Sequence, residues 1–268
     1  MITADFHCHT TFVDGAHSAE EMVLSAIEKG IETLGISEHA YVPFDPDCSL
    51  SPQNTLAYRQ EMERLKEKYK GQITLLCGIE MDYYSQDDVS AYDYVIGSVH
   101  YLNVNGKAYS VDLSPKETLR CIDEAFSGDA YAYAACYFEH LSQLKSKFNP
   151  NIIGHFDLLT KFQEKGIAFD ENHPKYREGA INAIKALAGC TVEVNTGAIS
   201  RGYRKEPYPA FSLLEQIKEA GGYVVLSSDS HHRDTLLYEF DVTQTLVKRA
   251  GFTTAGFTDS NGIRHRQF

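Results

Sequence analysis

Two pairs of metal-ligating residues share one spacing in this 268-residue chain, His7-Cys8-His9 and Asp229-Ser230-His231. Residues i and i+2 of an extended strand point to the same face, so each pair can present two donors to one cation, whereas Cys8 is sent to the opposite face. Glu38-His39, Glu80, His100 and His155 each follow directly on a short apolar run, as do Asn195 and Asp229. A lone histidine after a strand is more often structural than functional, and Glu80 alone could be a turn carboxylate. Repetition at one position relative to the apolar runs is what argues for a site. His140, His173, His232 and His265 end no apolar run and are expected on the surface or in support of the others.

Mixed imidazole and carboxylate ligands suit zinc, iron or manganese, whereas calcium and magnesium want nearly all oxygen. The candidates are more than one ion can use, which implies two or three divalent ions with positions left open for water and substrate. The chemistry of such a cluster is metal-assisted hydrolysis.

The elements that must position these residues follow from the pattern of the runs. Apolar stretches over residues 2–6, 31–36, 73–79, 94–99, 152–154, 191–194 and 223–228 alternate with segments of helical period. This is the rhythm of βα units around a parallel sheet. Ser18 and Glu21 make a capping box for a helix over residues 18–29, and a charged helix over 54–69 places Leu56, Met62 and Leu65 on one side. Further helices are expected near 175–188 and 210–220. Between residues 103 and 148 the rhythm breaks, with Ser114-Pro115 as a helix start and an aromatic-rich stretch over 129–148, read as a helical insertion in a single domain spanning 1–268. Parallel strands closed into a barrel aim their carboxyl ends at one mouth, where residues remote in sequence meet.

The formal net charge of -12 disfavours a surface built to neutralise nucleic acid or to lie on an anionic membrane. No apolar stretch reaches the length of a membrane span, and the amino terminus lacks the basic-then-apolar layout of a secretion signal, so a cytoplasmic protein is expected. The six cysteines are scattered singly, which in a reducing compartment points to small buried hydrophobes rather than disulfides.

The motifs His7-Cys8-His9-Thr10, Ser37-Glu38-His39-Ala40, Gly78-Ile79-Glu80, Gly97-Ser98-Val99-His100, Gly154-His155-Phe156-Asp157 and Ser228-Asp229-Ser230-His231 closely resemble the PHP family, named for polymerase and histidinol phosphatase domains. Within it, the chain is most similar to the histidinol-phosphate phosphatases of histidine biosynthesis. The resemblance implies a distorted (β/α)7 TIM-like barrel and a trinuclear metal site of zinc, manganese or iron. It assigns His7, His9, Glu80 and Asp229 to the first metal, and a bridging Glu80 with His100 and His155 to the second. His39 and His231 fall to the third, completed by Asp14 or His17. The activity implied is hydrolysis of L-histidinol phosphate by a metal-bridging hydroxide, with Glu80, Asp229, His231 and Arg201 as catalytic residues.

For the phosphoryl group, the loop after Asn195 offers Arg201 and Arg204, of which Arg201 is the expected clamp because a guanidinium fork matches two phosphate oxygens. Asn195, Tyr41 and Tyr203 are further substrate-binding candidates. The acidic loop Asp45-Pro46-Asp47 with Phe44 offers a site for an ammonium or imidazole group, and Glu38, Asp157 and Asn195 are expected to orient ligating imidazoles. The same cluster could also serve a phosphodiesterase or nuclease, a protein-tyrosine phosphatase, or a module that binds phosphorylated ligands without turnover.

Overall fold

The computed structural model describes residues 2–167, 169–259 and 262–267. In chain order the strands are β1 (Ala4–Asp5), β2 (Thr33–His39), β3 (Thr74–Asp82), β4 (Tyr94–Ser98), β5 (Tyr101–Val104), β6 (Lys107–Ser110), β7 (Ile152–Ile153), β8 (Thr191–Asn195), β9 (Tyr223–Ser227), β10 (Thr254–Asp259) and β11 (Gly262–Gln267). Seven of them form one sheet in the order β1-β2-β3-β4-β7-β8-β9, and every neighbouring pair is parallel. Past β1 and β9 the chain pairs once more, at Cys8 and Ser230. There His9 N donates to Ser230 O (2.9 Å) and Ser230 N to His7 O (3.2 Å). These bonds close the sheet into the expected seven-stranded barrel. Its strands are buried on both faces, which is why they read as continuous apolar runs rather than alternating ones.

The barrel interior is packed by Phe6, Tyr94, Ile96, Ile152 and Val225. Two glycines make room for the largest of these. A Cβ on Gly35 would lie 2.3 Å from the Tyr94 hydroxyl and one on Gly78 2.2 Å from its ring. The freed space lets Tyr94 cross the lumen and donate to Phe6 O at 2.5 Å.

The outer layer consists of α1 (Ala19–Glu28), α2 (Pro52–Lys68), α3 (Pro115–Phe126), α4 (Ala130–Phe148), α5 (Pro174–Ala186), the short α6 (Gly197–Ser200), α7 (Phe211–Glu219) and α8 (Phe240–Arg249). The capping box of Ser18 and Glu21 is formed at the start of α1. In α2 the buried face is Tyr58, Met62 and Leu65, and Leu56 is 57% exposed. Six residues before Met62, Leu56 sits about 240° around the helix from it, off the stripe that Tyr58 joins at i−4.

The stretch over 103–148 is not helical throughout. It opens with the β5–β6 hairpin, turned by Asn105 and Gly106, both at positive φ (54° and 82°). That dipeptide fits a two-residue primed turn. After α3, α4 buries Tyr133, Tyr137, Phe138 and Leu141 in the same cluster as Ile153, Val192 and Leu226. It is thus part of the barrel's outer shell. No helix among the described residues is long and apolar enough to cross a membrane.

Candidate metal centre at the barrel mouth

Strand register brings the candidates together. His39 ends β2 directly beside Glu80 of β3, and His39 Nδ1 lies 2.9 Å from Glu80 Oε2. His7 Nε2 lies 3.2 Å from the same oxygen and 3.1 Å from His9 Nε2. On the other side of the carboxylate, Glu80 Oε1 lies 3.0 Å from His155 Nε2 and 3.3 Å from His100 Nε2, and these two nitrogens are 3.2 Å apart. Asp229 Oδ1 is 3.5 Å from His9 Nε2 and 3.8 Å from His7 Nε2. His231 Nε2 meets Asp14 Oδ2 at 3.1 Å, with His39 Nε2 3.7 Å from the same oxygen. Three groups have donor atoms within 4.8 Å of one another: His7, His9 and Asp229; His39, Glu80 and His100; and His9, Asp14, His39 and His231. All nine candidate ligands, with Asp14 rather than His17, therefore converge. His17 packs instead edge-on against His232, with ring centroids 4.3 Å apart.

These atoms are mostly acceptors aimed at acceptors. Glu193 Oε2, 2.8 Å from His7 Nδ1, accepts the N–H of that nitrogen, so in the neutral ring His7 turns its other, bare lone pair toward His9, Glu80 and Asp229. His231 Nδ1 lies 3.0 Å from both the carbonyl of Asp229 and NH1 of Arg201, and its Nε2 faces Asp14. His9 Nδ1, Glu80 Oε2 and His155 Nδ1 are buried without a hydrogen-bond partner. Buried lone pairs that face one another repel unless a cation lies among them, so the donor set fits divalent metal ions with imidazole and carboxylate ligands.

In the metal-free protein a proton can serve as that cation, and the electrostatics show the pull on one. Burial depresses the His7 imidazole, but Glu193, Glu80 and Asp229 outweigh it and hold its pKa well above the ordinary value. Glu80 with Asp82 does the same to His100, and Glu80 with Asp14 raises His39. Burial pushes the Glu80 and Asp229 carboxyls up, yet the imidazoles around Glu80 and the Arg201 guanidinium with His7 beside Asp229 hold both well below the usual range. His9, buried and stacked against both His39 and His231, is pushed down to about 3 by burial and by those two rings. It stays a neutral ligand.

Glu193 was not among the residues singled out from sequence. A lone carboxylate inside the apolar run of β8, it is fully buried and also accepts from His155 N (2.6 Å) and Asn195 Nδ2 (2.8 Å). The available signal was a charge two residues before a strand end, on the same face as Asn195.

Other expectations sort as follows. Arg201 lies at the cluster, its NH1 donating to Asp229 O at 2.6 Å and its NH2 to Asp229 Oδ2 at 3.0 Å. Arg204, its side chain largely covered, donates to Thr160 and lies over the Tyr208 ring, away from the ligands. Asn195 is fully buried, donates to Asp229 Oδ2 at 3.3 Å and accepts from Gly197 N at 2.8 Å, so it props Asp229 from behind rather than facing substrate. Glu38 accepts from Thr10 N and Oγ1, and burial pushes its carboxyl up to about 8. Asp157 braces the loop of Arg204 and Ala210 and touches no ligand.

A cavity of about 220 Å³ opens over Asp14, His39, Glu80 and His100 and is walled further out by Asp45, Tyr101, Asp112 and Lys161. Tyr41 and Tyr203 are not in its wall; Tyr203 packs on Phe162. Lys161, 2.9 Å from Asp112 Oδ2, is a cation at this mouth that sequence reading passed over. His140 pairs with Tyr84, His173 caps α5 and His232 caps a short turn; the side chain of His265 lies outside the described residues.

Residues 5–197 match the PHP domain family. The chain belongs to that family. Among known relatives, this PHP domain protein is 28% identical over 273 residues to the histidinol-phosphatase of Lactococcus lactis, covering 94% of this chain and 93% of that one. It is 24% identical over 267 residues to the histidinol-phosphatase of Bacillus subtilis, covering 90% and 98%. The crystal structure of the Lactococcus lactis histidinol phosphate phosphatase complexed with zinc, L-histidinol and phosphate superposes with a TM-score of 0.73 at 26% identity, over 98% of this chain and 99% of that one.

Proposed function

We propose that this PHP domain protein hydrolyses L-histidinol phosphate to L-histidinol and inorganic phosphate with three divalent ions of zinc, manganese or iron. The observation that carries the reading is the set of facing lone pairs at the barrel mouth, His7, His9, Glu80 and Asp229 on one side and His100 and His155 on the other. It is supported by likeness along nearly the whole chain to a phosphatase solved with zinc, L-histidinol and phosphate.

His7, His9, Glu80 and Asp229 would hold one ion, Glu80, His100 and His155 a second, and Asp14, His39 and His231 a third. Bound divalent ions neutralise phosphoryl oxygens and lower the pKa of water, the two things a phosphate monoester dianion otherwise lacks for hydrolysis. The rest falls to the chain. Glu193 and Asn195 fix the His7 tautomer and the Asp229 carboxylate, and Arg201, whose fork already donates to Asp229, keeps the second N–H of NH2 for the phosphoryl group. The β5–β6 hairpin walls the cavity through Tyr101 and Ser110. As water adds to phosphorus, the bond to the histidinol oxygen breaks and that oxygen takes up a proton. We place the reaction in the cytoplasm, a setting in keeping with six unpaired cysteines, three of them buried.

The test is phosphate release from L-histidinol phosphate, phosphotyrosine and a phosphodiester by purified protein supplied with zinc, manganese or iron. Preferential turnover of histidinol phosphate is expected. Preference for phosphotyrosine or the diester would overturn the assignment, as would no turnover with any metal.

A further inference from the structure

The carboxylates that line the cavity differ in what balances them. Asp14 and Glu80 face the imidazoles of the cluster. Asp82 accepts from the backbone of His100 (2.7 Å) and of Tyr84 (2.8 Å), and Asp112 is paired with Lys161. Asp45 differs: its side chain meets the neutral Tyr101 hydroxyl at 2.5 Å and the Cys48 thiol. Among the described residues no lysine, arginine or histidine forms an ion pair with it.

This carboxylate is also held in place. Asp45 N donates to Val42 O at 3.0 Å, Ser49 Oγ donates to Asp45 O at 2.7 Å, and Val42 N donates to Ser49 Oγ at 3.2 Å. Leu50 N then ties the loop back to His39 O at 2.9 Å. Tyr101 is itself wedged against Phe44, ring centroids 5.1 Å apart. A pre-ordered carboxylate in a small cavity pays little to receive a cation. Asp47, one residue past Pro46, does not line the cavity.

We propose that Asp45, aimed by Tyr101, is the counter-ion for an ammonium group on the leaving alcohol, so that the site selects phosphate esters of amino alcohols over neutral ones. The inference rests on reading the cavity as a phosphomonoesterase site. In histidinol phosphate the ammonium-bearing carbon is the second from the ester oxygen. An ester held at the cluster therefore keeps that group inside the same cavity.

The test uses the metal-loaded full chain, with L-histidinol phosphate and 3-(imidazol-4-yl)propyl phosphate, which lacks only the ammonium group. The ratio of kcat/KM for the two esters is the readout, since any loss of folded or metal-loaded enzyme scales both alike and cancels. Asp45→Asn should lower the ratio about 10- to 100-fold, mainly through KM, as expected for a hydrogen bond to a charged group. Tyr101→Phe should lower it by less. A ratio unchanged within about twofold in Asp45→Asn overturns the proposal, and if that variant is insoluble, an unchanged ratio in Tyr101→Phe does so. If wild type hydrolyses neither imidazole ester yet cleaves other monoesters, the histidinol phosphate reading fails. The same ratio for O-phosphoethanolamine against ethyl phosphate then decides the role of Asp45. Absence of turnover with every monoester overturns both.

Discussion

Replacing Glu193 by glutamine exchanges a single oxygen for an NH2 group, yet it should loosen the metal centre. Glu193 receives three donors, His7 Nδ1 at 2.8 Å, His155 N at 2.6 Å and Asn195 Nδ2 at 2.8 Å. The glutamine carbonyl can keep the last two, which turns the NH2 toward His7 Nδ1. That nitrogen must then accept, and the imidazole proton moves to Nε2, where it points at His9 and Glu80 in place of the ligating lone pair. A hydrogen bond to a charged group contributes about 1.5–3 kcal/mol, and each 1.4 kcal/mol is about tenfold in affinity. Metal affinity should therefore fall about 10- to 100-fold, in the range usual for outer partners of ligating histidines. Competition with a zinc-binding fluorescent chelator measures this directly. Affinity within about twofold of wild type would refute the tautomer argument, whatever happened to activity.

Other expectations follow from the same geometry. His9→Ala, Glu80→Gln and Asp229→Asn should each lower turnover by orders of magnitude and release metal, checked by phosphate assay and elemental analysis of the dialysed protein. Because carboxylates raise the pKa of His7, His39 and His100 in the metal-free protein, protons compete with metal and affinity should fall as pH falls. Calorimetry in buffers of different ionisation enthalpy should then show protons released on metal binding; a buffer-independent heat would contradict it. Gly35→Ala or Gly78→Ala drives a methyl into Tyr94 and should lower the stability measured in urea by about 1–3 kcal/mol or more.

Much of this was legible in the chain because barrel geometry converts sequence position into spatial position. Following an apolar run of a parallel strand was enough to send His39, Glu80, His100 and His155 to one mouth, and the two alternately spaced pairs needed only strand periodicity. Spacing says little about what lies behind a ligand. Glu193 sits within an apolar run and gains its role from the distance to His7 across the barrel. Arg201 and Arg204 are three residues apart in one loop, and only the fold sends one to Asp229 and the other to Thr160. Asn195 and Tyr203 have the right chemistry for substrate, but packing turns them away from the cavity. The hairpin at Asn105-Gly106 was available as a turn signal and was submerged in a stretch read as helical. Leu56 was placed by hydrophobicity where helical angle favoured Tyr58.

The join between β1 and β9 gives the centre a second role. β1 spans only Ala4–Asp5, and the circle is completed by backbone bonds of His7 and His9 to Ser230, all within the segments that supply His7, His9, Asp229 and His231. Ions shared across that join would act as a clasp on the wall itself. Loading and closure then become one equilibrium, so stripping the centre should unfasten the amino-terminal segment first, with faster amide exchange at His9 and Ser230 than in β2 or β3.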